Sequence, residues 1–288
     1  MGLIGGSIGK TLRSLKLADH VIGVGRNQTR LQIAQSLGAI DSYTTNLKEA
    51  VPASSLVVVC TPVDRIASDL IQCASLGGRD LLLTDAGSTK QGIVERVSQF
   101  PKIAEQYVGA HPIAGSERSG VEASRSDLLQ DSVCVLTPTE FTSKELLERA
   151  RLFWSSLGCK VASMAPEDHD KILSQMSHLP HILAVALANS VPATSLDYGG
   201  GAFRDMTRIA ASDPGIWISI LLENRNALLQ TLHEYQNQLN DFGRLLDQSD
   251  TEQLEKWWLA ANKQRERFQG LQRRPPPKAH TNDTGFST

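Results

Sequence analysis

The sequence predicts an α/β protein: a doubly wound, Rossmann-type parallel sheet, N-terminally truncated by its first strand, followed by an all-helical domain. Three observations predict it. The chain opens on "MGLIGGSIGKTLRSL", a glycine-rich turn that leads into a helix. Up to about residue 165, short apolar runs alternate with stretches of helical periodicity, and from Pro166 onward only helical periodicity remains.

In a dinucleotide-binding fold the pattern G-x-G-x-x-G joins the first strand to the first helix, so its glycines presuppose a strand before them. Gly2 and Gly5 keep the spacing of the second and third glycines, Gly6 is additional, and the first glycine has no counterpart. Met1 is therefore not expected to be the natural start. An apolar strand of about six residues, with the missing glycine, is expected upstream.

Beyond the turn, Ile8, Leu12 and Leu15 share one helical face, and "HVIGVGRN" reads as a strand. "TRLQIAQSLG" reads as a helix stopped by Gly38. The runs "LVVVC" (56–60) and "LLLTD" (81–85) are apolar enough to be strands buried on both faces, which is the mark of a parallel sheet covered by helices. A helix "TKQGIVERVSQF" follows, then strands at 107–110, 132–137 and 159–164, with the helix "SKELLERARLFWSSLG" between the last two. These define a dinucleotide-binding domain over residues 1–165. The helical domain, 166–272, opens on "PEDHDKILSQMSHLPHILAVALANS", read as helix throughout, and continues in long helices from Asp213. Its stripe of Ile216, Ile220, Leu221, Leu228, Leu232, Leu239 and Leu245 is too apolar for an isolated small bundle, which points to a homodimer formed through this domain. Residues 273–288 are proline-rich and polar and are expected to be a disordered tail, with no appended regulatory domain after the helices.

Composition narrows the function. With 41% apolar and 21% charged residues over 288 positions, the chain is an ordinary globular protein, and a net charge of −2 gives no case for nucleic acid or an anionic membrane. Cys60, Cys73, Cys134 and Cys159 form no C-x-x-C pair and fall in strands or helices, so they are expected to be core residues in a reducing cytoplasm. No apolar run reaches the ~18 residues a membrane helix needs, and no signal-peptide layout is present.

Hydride transfer needs a cradle for a pyrophosphate, a selector for the adenosine ribose and a floor for the nicotinamide. Gly2, Gly5 and Gly6 at the start of the first helix suit the first. Where the selector belongs, the chain reads Gly25, Arg26, Asn27 with no carboxylate, so Arg26 favours NADP over NAD unless it is simply a solvated arginine. Thr61 and Pro62 in "CTPVD" would flank the cofactor, or form a plain strand-end turn. His111 in "GAHPIAGSE" stands at a strand end beside a glycine turn, where α/β enzymes place catalytic groups, unless it is a structural histidine; its unperturbed imidazole pKa would be ~6.5. Ser88 in "DAGSTK" is either a helix cap or a polar site residue. His178 and His181 share a helical face, and a zinc site built from them with His169 lacks a clear third ligand or a zincin-like glutamate, so no metal is expected.

The ordered motifs "GLIGGSIG", "CTPVD", "TDAGSTK", "GAHPIAGSE", "DHDKILSQMSHLPH" and "GGGAFRDMTRIAASDPGIWISILLEN" together resemble the prephenate and arogenate dehydrogenase family of tyrosine biosynthesis, from Gly2 to about Gln269. The resemblance implies oxidative decarboxylation of a cyclohexadienol with hydride transfer to NADP or NAD. It makes His111 the catalytic base and Ser88 the group that orients it. It gives Arg208 the grip on a substrate carboxylate, and places His181 and Ser177 beside the substrate and Glu117 at the pocket mouth. His181 tilts the substrate toward prephenate. Two other readings stay open: a β-hydroxyacid dehydrogenase-like oxidoreductase, against which no suitably placed lysine is seen, and a non-catalytic cofactor-binding derivative.

Overall fold

The computed structural model describes residues 1–115 and 118–272. Glu117 and the segment 273–288 lie outside the described residues. The chain forms two compact units, Met1–Arg225 and a second that begins at Asn226.

The first unit holds seven strands: β1 (Ile22–Val24), β2 (Ser42–Thr44), β3 (Leu56–Val59), β4 (Leu82–Asp85), β5 (Tyr107–Ile113), β6 (Val133–Thr137) and β7 (Lys160–Ser163). They make two sheets, a parallel pair β1-β2 and a five-stranded sheet of order β3-β4-β5-β6-β7. The division falls where a doubly wound order places its central strand. Met1 reaches this point: a Cβ on Gly23 of β1 would lie 3.0 Å from its side chain, and one on Gly5, itself against Cys60 after β3, 3.6 Å from it.

The sheet is not wholly parallel, which corrects the sequence reading. β3-β4, β4-β5 and β6-β7 are parallel, whereas β5 and β6 run antiparallel with His111 opposite Val135. β5 is also longer than expected and carries His111 inside it. β4 pairs with β5 only as far as Thr84 and Val108, and Asp85 Oδ1 then accepts from the Ala110 amide, so the two strands part as β4 ends.

Helices cover both faces. α1 (Leu3–Ser14) and α2 (Gln28–Ser36) follow the sequence reading, with Asn27 capping α2 through the Arg30 amide and Gly38, at φ +71, ending it. After the short α3 (Leu47–Ala50) come α4 (Val63–Leu76), α5 (Gln91–Ser98), α6 (Pro101–Ala104) and α7 (Lys144–Ser156). Adjacent residues of β4 serve opposite faces, as the strand period of two requires. Leu83 packs with Ile66, Leu70 and Ile93 of α4 and α5; Leu82 packs with Ile8 of α1 and the fully buried Trp154 of α7. α1 sits close to its neighbours because it presents glycine. A Cβ on Gly9 would stand 2.0 Å from the Ala39 carbonyl oxygen, and one on Gly6 2.9 Å from Val121 and Ser124.

α8 (Pro166–Leu173), a π turn (Ser174–His178) and α9 (Leu179–Ser190) run without a break, followed by α10 (Gly201–Thr207) and α11 (Pro214–Glu223). The sequence reading took 166–190 as regular helix; the π turn corrects it. Among the described residues the second unit holds α12 (Arg225–Asp247), except for its first residue, and α13 (Thr251–Gln272). No helix among the described residues is long and apolar enough to cross a membrane. The cysteines are free, and three are buried; Cys60 is exposed, against the expectation of a core residue.

Candidate active site

Register carries His111 beyond the end of β4: Val108 lies opposite Thr84, and β4 stops one residue later at Asp85. His111 is thus interior to β5 and at the same time at the carboxyl edge of the parallel strands, where open α/β sheets bind their ligands.

Behind it lies a chain of buried polar groups. His111 Nδ1 is 2.9 Å from His169 Nε2, with the rings edge to face, and His169 Nδ1 is 2.7 Å from Asp170 Oδ1. Asp170 Oδ1 also accepts from the Lys90 amide at 2.8 Å, and Oδ2 from the Gln91 amide at 3.0 Å. A carboxylate of α8 therefore caps α5, whose N-terminal amides would otherwise be orphaned. This corrects the reading of Ser88 as that helix's cap. Ser88 lies half-buried in the turn between β4 and α5, and Lys90 holds the cap position without a side-chain bond to it.

Beneath the turn, Lys90 and Asp85 form a fully buried ion pair. Asp85 is saturated: Oδ2 takes Lys90 Nζ and the Gly87 amide, while Oδ1 takes the Tyr107 hydroxyl and the Ala110 amide. Through the Ala110 amide this hub fixes the backbone directly before His111.

Burial, seconded by His169, Lys90 and His178, pushes the His111 pKa well below that of a free imidazole. The expectation of an ordinary pKa is corrected: His111 is a buried, neutral ring. Burial also lowers His169, opposed by Asp170, and takes His178 down to about 4. Asn224 Nδ2 donates to the Asp170 carbonyl and lies 3.0 Å from His178 Nδ1, tying the end of α11 to the cluster.

A second group lies alongside. His181 Nδ1 donates to the Ser177 carbonyl at 2.8 Å, and its ring stacks on Trp217 at 3.7 Å between centroids. With Nδ1 so engaged, Nε2 is left as an acceptor. Burial lowers the pKa of His181, opposed by its bond to the Ser177 carbonyl and seconded by the charge of Arg208. Arg208 is exposed at the end of α10. His178 stands edge-on to the same Trp217, which joins the two groups.

The residues assigned to a cofactor lie at the start of α1 and just beyond the carboxyl ends of β1 and β3. Gly2 caps α1 with no side chain on its amides, and a Cβ there would meet nothing within 4 Å, so the helix N-terminus is open to an anion. Arg26 is exposed just after β1; Thr61 and Pro62 follow β3, with the Thr61 hydroxyl donating to Asp69 at 2.7 Å. A cavity of about 310 Å³ lined by Val191, Leu196, Tyr198 and Phe203 contains none of the predicted site residues.

Sequence reasoning missed Asp85, Lys90, Tyr107, Asp170, Asn224 and Trp217, and considered His169 only as a metal ligand. The signal present was "DHD" at the start of a helix with His181 downstream; the contacts across the fold had none.

Two family models match the chain: prephenate dehydrogenase, nucleotide-binding domain, over residues 8–163, and prephenate dehydrogenase, dimerization domain, over residues 165–260. A prephenate dehydrogenase of Bacillus subtilis is 33% identical, covering 92% of this chain and 74% of its own. Among solved structures, prephenate dehydrogenase from Aquifex aeolicus in complex with hydroxyphenyl propionate and NAD+ superposes with TM-score 0.87 at 31% identity, covering 93% of this chain and 95% of that one. An arogenate dehydrogenase from Synechocystis superposes with TM-score 0.80 at 27% identity, covering 93% and 97%.

Proposed function

The chain belongs to the prephenate dehydrogenase family, and on that premise we propose that it oxidatively decarboxylates prephenate, passing a hydride to NADP, with arogenate and NAD as the alternatives. The observation that carries the reading is His111: a neutral imidazole at the carboxyl edge of the sheet, backed by the hydrogen-bonded His169 and Asp170.

The open N-terminus of α1, with Gly2, Gly5 and Gly6, fits a diphosphate, and Arg26 fits a 2′-phosphate. The nicotinamide supplies a hydride acceptor when bound. Thr61 and Pro62 would flank it. His111 takes the hydroxyl proton of the substrate carbinol and Ser88 orients that hydroxyl. Arg208 grips a carboxylate in two-point fashion, while His181, held by Ser177, faces the substrate side chain and favours its keto form. Glu117 is assigned to the pocket mouth.

A homodimer through residues 166–272 is supported by the dimerization-domain match and by exposed apolar side chains, Met206, Ile216, Ile218 and Leu222 in the first unit and Leu229, Leu239 and Trp258 in the second. We place the domain boundary at 165/166 and the protein in the cytoplasm, consistent with four free cysteines.

Reduction of NADP or NAD measured with prephenate and with arogenate decides the activity. Turnover with neither substrate overturns it, and quenching of the tryptophans by cofactor without turnover favours a binding protein instead. A preference for NAD would refute the role of Arg26. Arg208→Ala is expected to raise KM by ~10–10²-fold with cofactor affinity unchanged, since one charge-assisted contact is worth ~1.5–3 kcal/mol. An equal loss of cofactor affinity would place Arg208 elsewhere.

A further inference from the structure

We propose that His169 and Asp170 are positioning residues that hold His111 in the one tautomer able to act as a base. The proposal rests on the reading of His111 as the base.

The argument is one of donors and acceptors. Asp170 Oδ1 is a carboxylate oxygen and can only accept, so His169 Nδ1 carries the hydrogen of their 2.7 Å bond. A neutral His169 then has a bare Nε2. That nitrogen accepts across 2.9 Å, so the hydrogen lies on His111 Nδ1. A neutral His111 with its hydrogen on Nδ1 has a lone pair on Nε2. Each assignment follows from the one before, and all start from the carboxylate. Two amides, of Lys90 and Gln91, pin that carboxylate, and the Asp170 carbonyl is held by Asn224, so the anchor cannot rotate without losing the cap of α5.

The charges facing the pair agree. Lys90 reaches both histidines, but Asp85 neutralises it within a buried pair. His178 is held neutral by burial. Tyr107, on β5, spends its hydroxyl on Asp85. Among the described residues, Asp170 is the anion in line with the two rings, positioned to stabilise an imidazolium on His111.

The chemistry needs only a passing imidazolium. As the carbinol hydride leaves, the hydroxyl proton moves to His111 Nε2; the bond from the ring carbon to its carboxylate breaks, its electron pair completes the aromatic ring, carbon dioxide departs, and the phenolate oxygen takes the proton back. The proton is borrowed and returned. A buried base is therefore sufficient, and a fixed tautomer matters more than a proton outlet.

The test begins with the unaltered protein. ¹⁵N NMR of the histidine rings at pH 7 separates protonated from bare nitrogens, and is expected to show His111 Nε2 and His169 Nε2 bare; a protonated His111 Nε2 overturns the proposal without any variant. In Asp170→Asn the side-chain amide can donate to His169 Nδ1. Both tautomers then reverse, His111 Nε2 becomes protonated in the spectrum, and kcat falls by ~10²–10⁴-fold while KM changes by less than about threefold, as when a triad carboxylate is replaced by its amide. His169→Gln, which keeps a donor and an acceptor on one side chain, is expected to retain more activity than His169→Phe. Unchanged tautomers in Asp170→Asn, or kcat within twofold of the parent, refute the assignment. If instead His111→Asn retains turnover, the reading of His111 as the base fails, while the spectrum alone still decides the tautomers.

Discussion

Replacing His111 with asparagine is expected to lower kcat by ~10²–10⁴-fold at pH 7 while the fold and cofactor binding persist, the range for losing a general base. The size follows from the site: the ring is neutral, and its Nδ1 is already engaged with His169. The same burial fixes the pH dependence. A base works when unprotonated, and burial lowers the pKa of His111 below the ordinary value of 6.5, so kcat/KM should stay level as pH falls through 6.5 and decline only well below it. The asparagine variant should lose that acid limb. Near-normal turnover at pH 7 in the variant, or an acid limb centred at 6.5 in the parent, would contradict this account.

The second large effect is on stability. Lys90→Met removes the cation from a pair whose side chains are both 0% exposed and leaves the Asp85 carboxylate buried with hydrogen bonds but no counter-charge. Breaking a buried pair in this way costs about 3–5 kcal/mol, or roughly 6–20 °C in Tm for a domain of this size. Adding Asp85→Asn should recover part of the loss, because the amide oxygen still accepts while the charge is gone. Thermal melts of the single and double variants check both statements. A single variant melting within about 2 °C of the parent would show the pair to be dispensable. Asp85 also takes the Ala110 amide, so the single variant should lose activity alongside stability.

The parts of the fold legible in the sequence are those written in local pattern. α2, between Asn27 and Gly38, carries its own cap and stop, and the apolar runs of β3 and β4 announce burial. β2 escaped because Ser42, Tyr43 and Thr44 are all half-buried and show no apolar run. The antiparallel turn of β5 against β6 is a matter of pairing partner, which periodicity does not encode, and Pro112 reads locally as a strand end. The site divides the same way. His111, Arg208 and His181 sit in motifs from which a role can be proposed; Asp170 acts across the fold on Lys90 and Gln91, about eighty positions away in the chain, and no motif points to it. The π turn explains a further failure. Nine residues of regular helix make about two and a half turns, which would set His169 and His178 on opposite sides, yet both are buried in one cluster because Ser174–His178 shifts the phase.

The division of the sheet also bears on how its strands can be completed. β3 begins the five-stranded sheet, and beyond it no strand pairs among the described residues. Its residues, Leu56 to Val59, are aliphatic and uncharged, and three of the four are only partly covered. An edge of that kind, with no lysine, proline or bulge to blunt it, is one on which a further strand can complete the backbone hydrogen bonds of β3.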